Sequence, residues 1–341
     1  MKGGQVTIKD IARELDISPS TVSRALKDHP DISPETKKAV NELAKKLHYQ
    51  PNSIAQSLRK SKTNTIGIIV PEIVHFFFST VISGIEDVAY NAGYNVIICQ
   101  SNESYEREVS DTFALLSHRV DGLLISLSRN TKNFDHFREV YERGIPMVFF
   151  DRICEELDTH RIVVDDKEGA FKAVEHLISI GCKRIAHIEG PRNLVICQQR
   201  LEGYKQALEQ HGLPYDEDLV VIDNVGSRES GFERGQQLLK LDNPPDAVFA
   251  HNDMAAHGVM LAIKEAGLKI PEDIAVAGFS NWQFSSLIQP SLTTVAQPGF
   301  EMGREAARMF IDQVKQDKED FQAQTQLLKT ELIIRESTVR A

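Results

Sequence analysis

Apolar residues in the first 50 positions recur at α-helical spacing in three short segments. They are Ile8, Ile11, Ala12 and Leu15, then Val22, Ala25 and Leu26, then Ala39, Val40, Leu43, Ala44 and Leu47. Each segment follows a good helix-capping residue, namely Thr7, Ser18 or Ser33, and proline comes next in the last two. Three short helices with a tight turn between the first two predict a helix-turn-helix head over residues 1–50.

From residue 63 onward, short apolar runs alternate with segments of helical period. Runs such as Thr65–Val70, Asn95–Gln100 and Met147–Phe150 are typical of buried strands, and a second series begins near Arg161. This pattern predicts two doubly wound parallel α/β lobes, so the fold class is α/β. Ligands bind beyond the carboxyl ends of such strands, which places a binding site in the cleft between the lobes.

Charge is distributed unevenly along the 341 residues, whose net charge is −10. Residues 1–62 hold 12 Lys and Arg against 7 Asp and Glu, a balance of +5, and the remainder has a balance of −15. The overall value argues against nucleic acid, but the asymmetry indicates a nucleic-acid module joined to an acidic body.

The second helix carries the side chains that suit DNA. Arg24 can donate two parallel hydrogen bonds to guanine, and Ser20 is short enough to approach base edges. Thr21, Ser23 and the helix N-terminus can bind phosphates. The alternative is a small helical docking domain with Arg24 on a solvated surface.

Residues 51–62 link the head to the body and are too short and polar to form a stable isolated helix. Leu58 lies beside Arg59, Lys60 and Lys62. An apolar side chain flanked by cations suits a wedge that enters the DNA minor groove. The alternative is an ordinary linker.

Three motifs at characteristic spacing resemble the lactose-repressor/galactose-repressor (LacI/GalR) family. They are Thr7-Ile8-Lys9-Asp10-Ile11-Ala12, Val22-Ser23-Arg24-Ala25-Leu26, and Pro51-Asn52 through Ala55-Gln56-Ser57-Leu58. The resemblance implies that Pro19, Ser20 and Arg24 read the major groove and that Ala55 and Leu58 of a hinge helix enter the minor groove. With Thr7, Thr21, Ser23 and Asn52, these form the predicted DNA-binding set. Pro19 departs from relatives with a hydrogen-bonding or aromatic residue there, so no operator sequence transfers.

The resemblance also implies two periplasmic-binding-protein-like lobes within the body, residues 63–341. It assigns residues 63–161 and 293–323 to the N-lobe and residues 162–292 and 324–341 to the C-lobe. It implies a homodimer on double-stranded DNA with a palindromic operator. A small-molecule effector, a sugar or sugar derivative, would regulate binding by changing the angle between the lobes.

The candidate effector contacts follow predicted strands and suit a ligand rich in hydroxyl groups. Asp151 and Asp253 can accept hydrogen bonds, Arg152, Arg200 and Asn252 can donate them, and Phe77 and Phe78 can stack on a ring. The alternatives are capping roles for the two aspartates, core positions for the phenylalanines and an acidic partner for Arg152. Ser280 stands where many relatives hold the effector with a carboxylate, which makes a simple free pentose or hexose held in the usual way doubtful.

No dinucleotide-binding, P-loop, metalloprotease or serine-hydrolase motif is present, so we predict neither an enzyme nor a cofactor or metal site. The absence of a signal-peptide pattern, of membrane-spanning apolar runs and of paired cysteine motifs predicts a cytoplasmic protein without membrane contact. Two alternatives remain: a solute-binding protein with the same body, and a regulator whose main co-effector is a partner protein.

Overall fold

The computed structural model describes residues 6–49, 62–316 and 321–339. The chain divides into two compact units, residues 1–63 and residues 64–341. The head contains helices α1 (Ile8–Glu14), α2 (Pro19–Ala25) and α3 (Pro34–Lys46). Their inward faces form one small core that includes Ile11, Val22 and Val40. The predicted three-helix head is therefore confirmed.

Local hydrogen bonds explain where the helices of the head begin. The backbone N–H of Thr7 donates to Asp10 Oδ2 at 2.9 Å, and Ser18 Oγ accepts from the N–H of Thr21 at 3.1 Å. Pro19 opens α2, where a backbone N–H would have no helical partner. The turn between α1 and α2 includes Asp16 at a φ of +52°.

The body contains two six-stranded sheets with helices on both faces. The strands are β1 (Thr65–Val70), β2 (Asn95–Gln100), β3 (Gly122–Ile125), β4 (Met147–Phe150), β5 (His160–Val164), β6 (Ile185–Glu189), β7 (Val220–Ile222), β8 (Ala247–Ala250), β9 (Ala275–Ser280), β10 (Thr293–Ala296), β11 (Thr325–Leu328) and β12 (Glu331–Ile333). The helices are α4 (Phe76–Asn91), α5 (Tyr105–Ser117), α6 (Asp135–Glu142), α7 (Asp166–Ser179), α8 (Val195–Gln210), α9 (Arg228–Leu239), α10 (Asp253–Glu265) and α11 (Gly299–Lys315).

The two sheets share one strand order. The N-lobe sheet runs β11-β5-β4-β3-β1-β2, and the C-lobe sheet runs β12-β10-β9-β8-β6-β7. Neighbouring strands are parallel except for β12, which pairs antiparallel with β10. The two predicted doubly wound lobes are therefore confirmed.

The lobe boundaries differ from the sequence-based ones by about a strand at each crossing. Residues 162–164 belong to β5, which pairs with β4 in the N-lobe, whereas β10 pairs with β9 in the C-lobe. Strand β11 pairs with β5 and so also belongs to the N-lobe. The chain therefore crosses between the lobes three times, after β5, β10 and β11. Hydrogen-bonded partners decide these assignments, and the local sequence pattern does not reveal them.

Helices in both lobes pack closely through glycine. A Cβ at Gly84 of α4 would lie 2.0 Å from the carbonyl oxygen of Phe300 in α11. In the C-lobe, a Cβ at Gly258 of α10 would lie 2.1 Å from the carbonyl oxygen of Arg228 in α9. Only glycine permits such approaches, which hold these helix pairs against their sheets.

Candidate functional site

A cavity lies between the lobes at the carboxyl ends of their strands. Seven of the eight predicted effector contacts line it: Phe77, Phe78, Asp151, Arg152, Arg200, Asn252 and Ser280. Sequence reasoning missed further lining residues, including His75, Glu103, Arg129, His251 and Gln297. All five lie just beyond a strand, so position after a strand was the signal that could have found them.

Glu103 connects two arginines on the N-lobe side of the cavity. Arg152 Nη1 donates to both carboxylate oxygens of Glu103, at 2.9 and 3.0 Å, as foreseen in the alternative that gave Arg152 an acidic partner. Arg129 donates its backbone N–H to Glu103 Oε2 at 2.6 Å, and its Nε lies 3.5 Å from Oε1. Burial opposes the charge on Glu103, but Arg152 and Arg129 outweigh it and lower the pKa of that carboxyl.

Arg200 is fixed within the C-lobe by three interactions. Its Nε donates to Asp166 Oδ1 at 2.8 Å, and its Nη1 donates to the carbonyl oxygen of His251 at 2.7 Å. The guanidinium carbon lies 3.7 Å from the centre of the Phe279 ring, a cation–π contact. Burial raises the pKa of Asp166 to about 6, against the opposing effect of Arg200. Arg200 is thus both buried and neutralised beside the cavity.

Asp151 follows β4 at a φ of +59°, in the left-handed region that few residues other than glycine adopt. Gln297 Nε2 donates to its Oδ1 at 3.4 Å, and Arg152 Nε lies 4.0 Å from its Oδ2. Burial raises the pKa of Asp151. A buried carboxylate with few donors around it suits a hydroxyl-bearing ligand.

Asn252 and Asp253 differ although they are adjacent at the start of α10. Asn252 lines the cavity but also caps the helix, because its Oδ1 accepts from the N–H of Ala255 at 2.8 Å. Asp253 does not line the cavity, which corrects its assignment as an effector contact. Its oxygens accept from Ser285 Oγ at 2.6 Å, from the N–H of Trp282 at 2.7 Å and from Thr294 Oγ1 at 2.5 Å. Asp253 therefore anchors the loop after β9.

Aromatic side chains extend across the cleft. Phe77 and Phe78 belong to the N-lobe core and also line the cavity, so a core position does not prevent them from reaching a ligand. The His75 ring lies 5.7 Å from that of Phe78 and 5.3 Å from that of Trp282 on the C-lobe. Ser280, beside this group, has a φ of +109°. His251 is uncharged at neutral pH, since burial and Arg200 lower its pKa well below its usual value.

Direct hydrogen bonds join the lobes at the cavity rim. Arg129 Nη1 donates to the carbonyl oxygen of Asn224 at 3.2 Å and also to that of Val225. Asn193 Nδ2 donates to the carbonyl oxygen of Arg129 at 2.7 Å. One residue of the N-lobe thus contacts two loops of the C-lobe.

The predicted DNA-binding residues of the head lie on α1 and α2. Pro19, Ser20 and Arg24 are exposed, while Thr21 and Ser23 are half-buried. Thr7 is exposed and its hydroxyl donates to Asp10 at 2.7 Å. Asn52, Ala55 and Leu58 lie outside the described residues.

Among the residues that the structure describes, no helix is long and apolar enough to cross a membrane. Within the same residues, no group of three His, Cys, Asp or Glu side chains is placed to hold a metal ion.

Two family models match the chain. Residues 7–52 match the bacterial regulatory proteins of the lacI family, and residues 174–338 match a periplasmic binding protein-like domain. A solved structure of the lac repressor dimer bound to operator and the anti-inducer ONPF has a TM-score of 0.86 and 26% identity, covering 99% of this chain and 100% of that one.

Full-length relatives extend the match. The HTH-type transcriptional repressor CytR of Escherichia coli K12 is 36% identical over 97% of this chain and 96% of its own length. The ribose operon repressor of Halalkalibacterium halodurans is 34% identical, covering 97% of both chains. These matches support the regulator prediction and not the solute-binding alternative. With its helix-turn-helix head and two-lobed body, the chain belongs to the lacI family of bacterial regulatory proteins.

Proposed function

We propose that the protein is a cytoplasmic, homodimeric transcriptional repressor whose operator affinity is controlled by a sugar or sugar derivative in the cavity. The main observation behind this proposal is that side chains near the ends of strands in both lobes line one cavity. The same chain also has a helix-turn-helix head. A ligand there contacts both lobes and therefore biases the angle between them.

For DNA, Pro19, Ser20 and Arg24 read base edges of each half-site. Thr7, Thr21 and Ser23 contact the phosphate backbone, with the positive end of α2 nearby. Asn52, Ala55 and Leu58 act at the operator centre, in the minor groove. Two copies of the head on a twofold axis require a palindromic operator.

For the effector, Asp151 and Asn252 are the first candidates to bind ligand hydroxyls, with Arg152, Arg200 and Ser280 beside them. Phe77 and Phe78 supply the apolar wall. Two solved relatives support a sugar. One is a regulator from Enterococcus faecium with bound ribose, 32% identical with a TM-score of 0.70 and covering 80% of this chain and 98% of that one. The other is a CelR-cellobiose complex, 29% identical with a TM-score of 0.74 and covering 98% of this chain and 100% of that one.

For dimerisation, the outer strand β2 of the N-lobe offers apolar side chains. Ile97 and Ile98 are 36% and 38% exposed, and Tyr90 of the neighbouring α4 is 75% exposed. An unprotected apolar edge strand pairs readily with another chain. A second copy covering this edge would couple the lobe angle to the spacing of the two heads.

The test begins with selection of binding sites from a random DNA duplex library, followed by fluorescence anisotropy with the selected site. Enrichment of a palindrome, and a change in its affinity with at least one sugar, support the proposal. A protein that selects no sequence, or whose operator affinity no sugar alters, refutes it.

Two variants locate the DNA contacts. Arg24→Ala should relax selection at one position per half-site, whereas Arg13→Ala, which removes an exposed arginine of α1, should leave the selected sequence unchanged. Uniform weakening by Arg24→Ala would make Arg24 a phosphate contact. Leu58→Ala should lower the ratio of specific to non-specific affinity, and an unchanged ratio would contradict the wedge role.

A further inference from the structure

The charges of the cavity are balanced. Its lining includes Arg129, Arg152 and Arg200, and it also includes Glu72, Glu103 and Asp151. Arginines that converge on a cavity commonly bind a phosphate or carboxylate of the ligand. Whether they do so here depends on whether their guanidinium groups are available.

Glu103 takes up the two arginines of the N-lobe. Its carboxylate contacts Arg152 Nη1 through both oxygens and lies against the Nε and backbone N–H of Arg129. The side chain of Glu103 is only 10% exposed, so the attraction is weakly screened by solvent. Arg200 is neutralised in the same way by the buried Asp166.

The backbone holds Glu103 in place. Asn102 and Glu103 both have positive φ angles, +49° and +57°, a conformation that non-glycine residues seldom adopt in succession. Asn130 Nδ2 donates to the carbonyl oxygen of Glu103 at 2.6 Å. Backbone strain of this kind persists where the surrounding structure fixes it, often at ligand-binding sites.

One buried donor of Arg152 has no partner. Arg152 Nε is buried and has no hydrogen-bond partner among the described residues. This N–H can donate to one hydroxyl or carbonyl oxygen of an uncharged ligand. A phosphate beside Arg152 would lie close to the Glu103 carboxylate on Nη1, and the two anions would repel each other.

We propose that Glu103 is a specificity-determining residue that acts as a built-in anion. It neutralises the charges of Arg129 and Arg152, so the cavity accepts an uncharged polar ligand and excludes phosphorylated or carboxylated ones. Glu72 and Asp151 add to the repulsion of an anion. This inference rests on the proposed function only in taking the cavity as the effector site.

The test compares wild type with Glu103→Gln by thermal unfolding in inorganic phosphate, and in ribose 5-phosphate against ribose, at constant ionic strength. Wild type should show no upward shift in Tm with either phosphate compound. Glu103→Gln removes the charge and keeps the shape, so both phosphate compounds should raise its Tm. The matched control is Glu156→Gln, which releases Arg138 on the N-lobe surface and should gain nothing.

Adding Arg152→Ala to Glu103→Gln should abolish the gain, which places the bound anion in the cavity. Asp151→Asn is a second variant, because asparagine tolerates the left-handed backbone at this position, and it should show a smaller gain. The proposal fails if phosphate stabilises wild type in a manner that Arg152→Ala removes. It fails equally if neither folded variant gains a response. Since neither DNA nor operator affinity is measured, these outcomes are independent of the operator test.

Discussion

The N-lobe and C-lobe share a strand order, yet the acids that follow their outer strands have different partners. Glu103 follows β2 and pairs with two arginines, whereas Asp223 follows β7, the corresponding strand. Asp223 accepts from the N–H groups of Val225 and Gly226, both at 3.0 Å, and from Ser230 Oγ at 3.0 Å. The acid after the outer strand thus balances charge in one lobe and shapes a loop in the other.

Asp151, directly after β4, and Ser280, the last residue of β9, show a second contrast. Asp151 and Ser280 both have positive φ angles and both line the cavity. One offers a buried carboxyl and the other a hydroxyl. The N-lobe therefore presents an array of charged groups, while the C-lobe presents mainly neutral groups around Arg200. The comparison indicates that two lobes with the same strand order place cavity-lining side chains at similar places in the fold. The chemical type of those side chains can still differ between the lobes.

The largest effect is expected from Arg200→Ala, which breaks the main buried ion pair of the C-lobe side. It leaves Asp166 without its partner and should cost about 3–5 kcal/mol of unfolding free energy. Urea unfolding of the full chain measures the loss. Arg200→Met combined with Asp166→Leu removes both charges and should recover much of it. A loss below about 1 kcal/mol for Arg200→Ala would show that the pair contributes little.

Ile98→Glu tests whether the outer strand β2 of the N-lobe sheet forms the dimer interface. A charge on β2 should weaken the proposed dimer at least about a hundredfold, equivalent to about 3 kcal/mol. Sedimentation equilibrium measures the change. Tyr215→Glu places the same charge at a comparably exposed C-lobe site and should leave association unchanged. A dimer that survives Ile98→Glu would exclude β2 from its interface.

Arg129→Ala removes the hydrogen bonds that the Arg129 side chain donates to the C-lobe. Hydrogen bonds from a charged donor make a net contribution of about 2 kcal/mol, so the open arrangement of the lobes should become more populated. Distances between spin labels on the two lobes report this change. Arg138→Ala removes an arginine whose partner, Glu156, lies in the same lobe, and should not alter the distances. Unchanged distances in Arg129→Ala would contradict the bridging role.

The last effect depends on pH. Burial raises the pKa of Asp253 to about 6, against hydrogen bonds from Ser285, Thr294 and Trp282 that lower it. The folded protein therefore binds this proton more tightly than the unfolded chain. The contribution of Asp253 to stability should fall as pH rises from about 4 to about 6, by about 1 kcal/mol per pH unit, and stay constant above.

The difference in unfolding free energy between wild type and Asp253→Asn, measured across that pH range, isolates this contribution. Asp135→Asn, which removes an exposed carboxylate in α6, is the control. Glu103 should behave oppositely: its pKa is lowered, so its contribution is lost only as pH falls through that lowered pKa. A pH-independent difference for Asp253→Asn would show that this carboxyl titrates normally.

The sequence predicted the bounds of helices and strands better than it predicted which strands pair and which side chains interact. Buried strands such as β1 and β4 were predicted with their correct ends because apolar runs bounded by polar residues are a local signal. The crossings were misplaced because a strand such as β10 looks the same whichever sheet it joins. Asp253 was misassigned for a similar reason: a carboxylate at a helix start does not reveal whether it faces a cavity or its own loop. The position of Glu103 after β2 marks it as a lining candidate, but its role depends on arginines 26 and 49 residues away, which no local pattern reveals.

The three crossings of the chain have a consequence for how such proteins can diversify. Neither lobe is a continuous stretch of sequence, because α11 and β11 belong to the N-lobe but lie between β10 and β12 of the C-lobe in the sequence. Exchanging one lobe with that of a relative would require three simultaneous joins. One recombination junction between the head and the body can replace the whole head. A single junction within the effector-binding body, by contrast, divides a lobe. New effector preferences in this architecture are therefore expected to arise by point substitution around the cavity. New operator preferences can instead be acquired by exchange of the whole head.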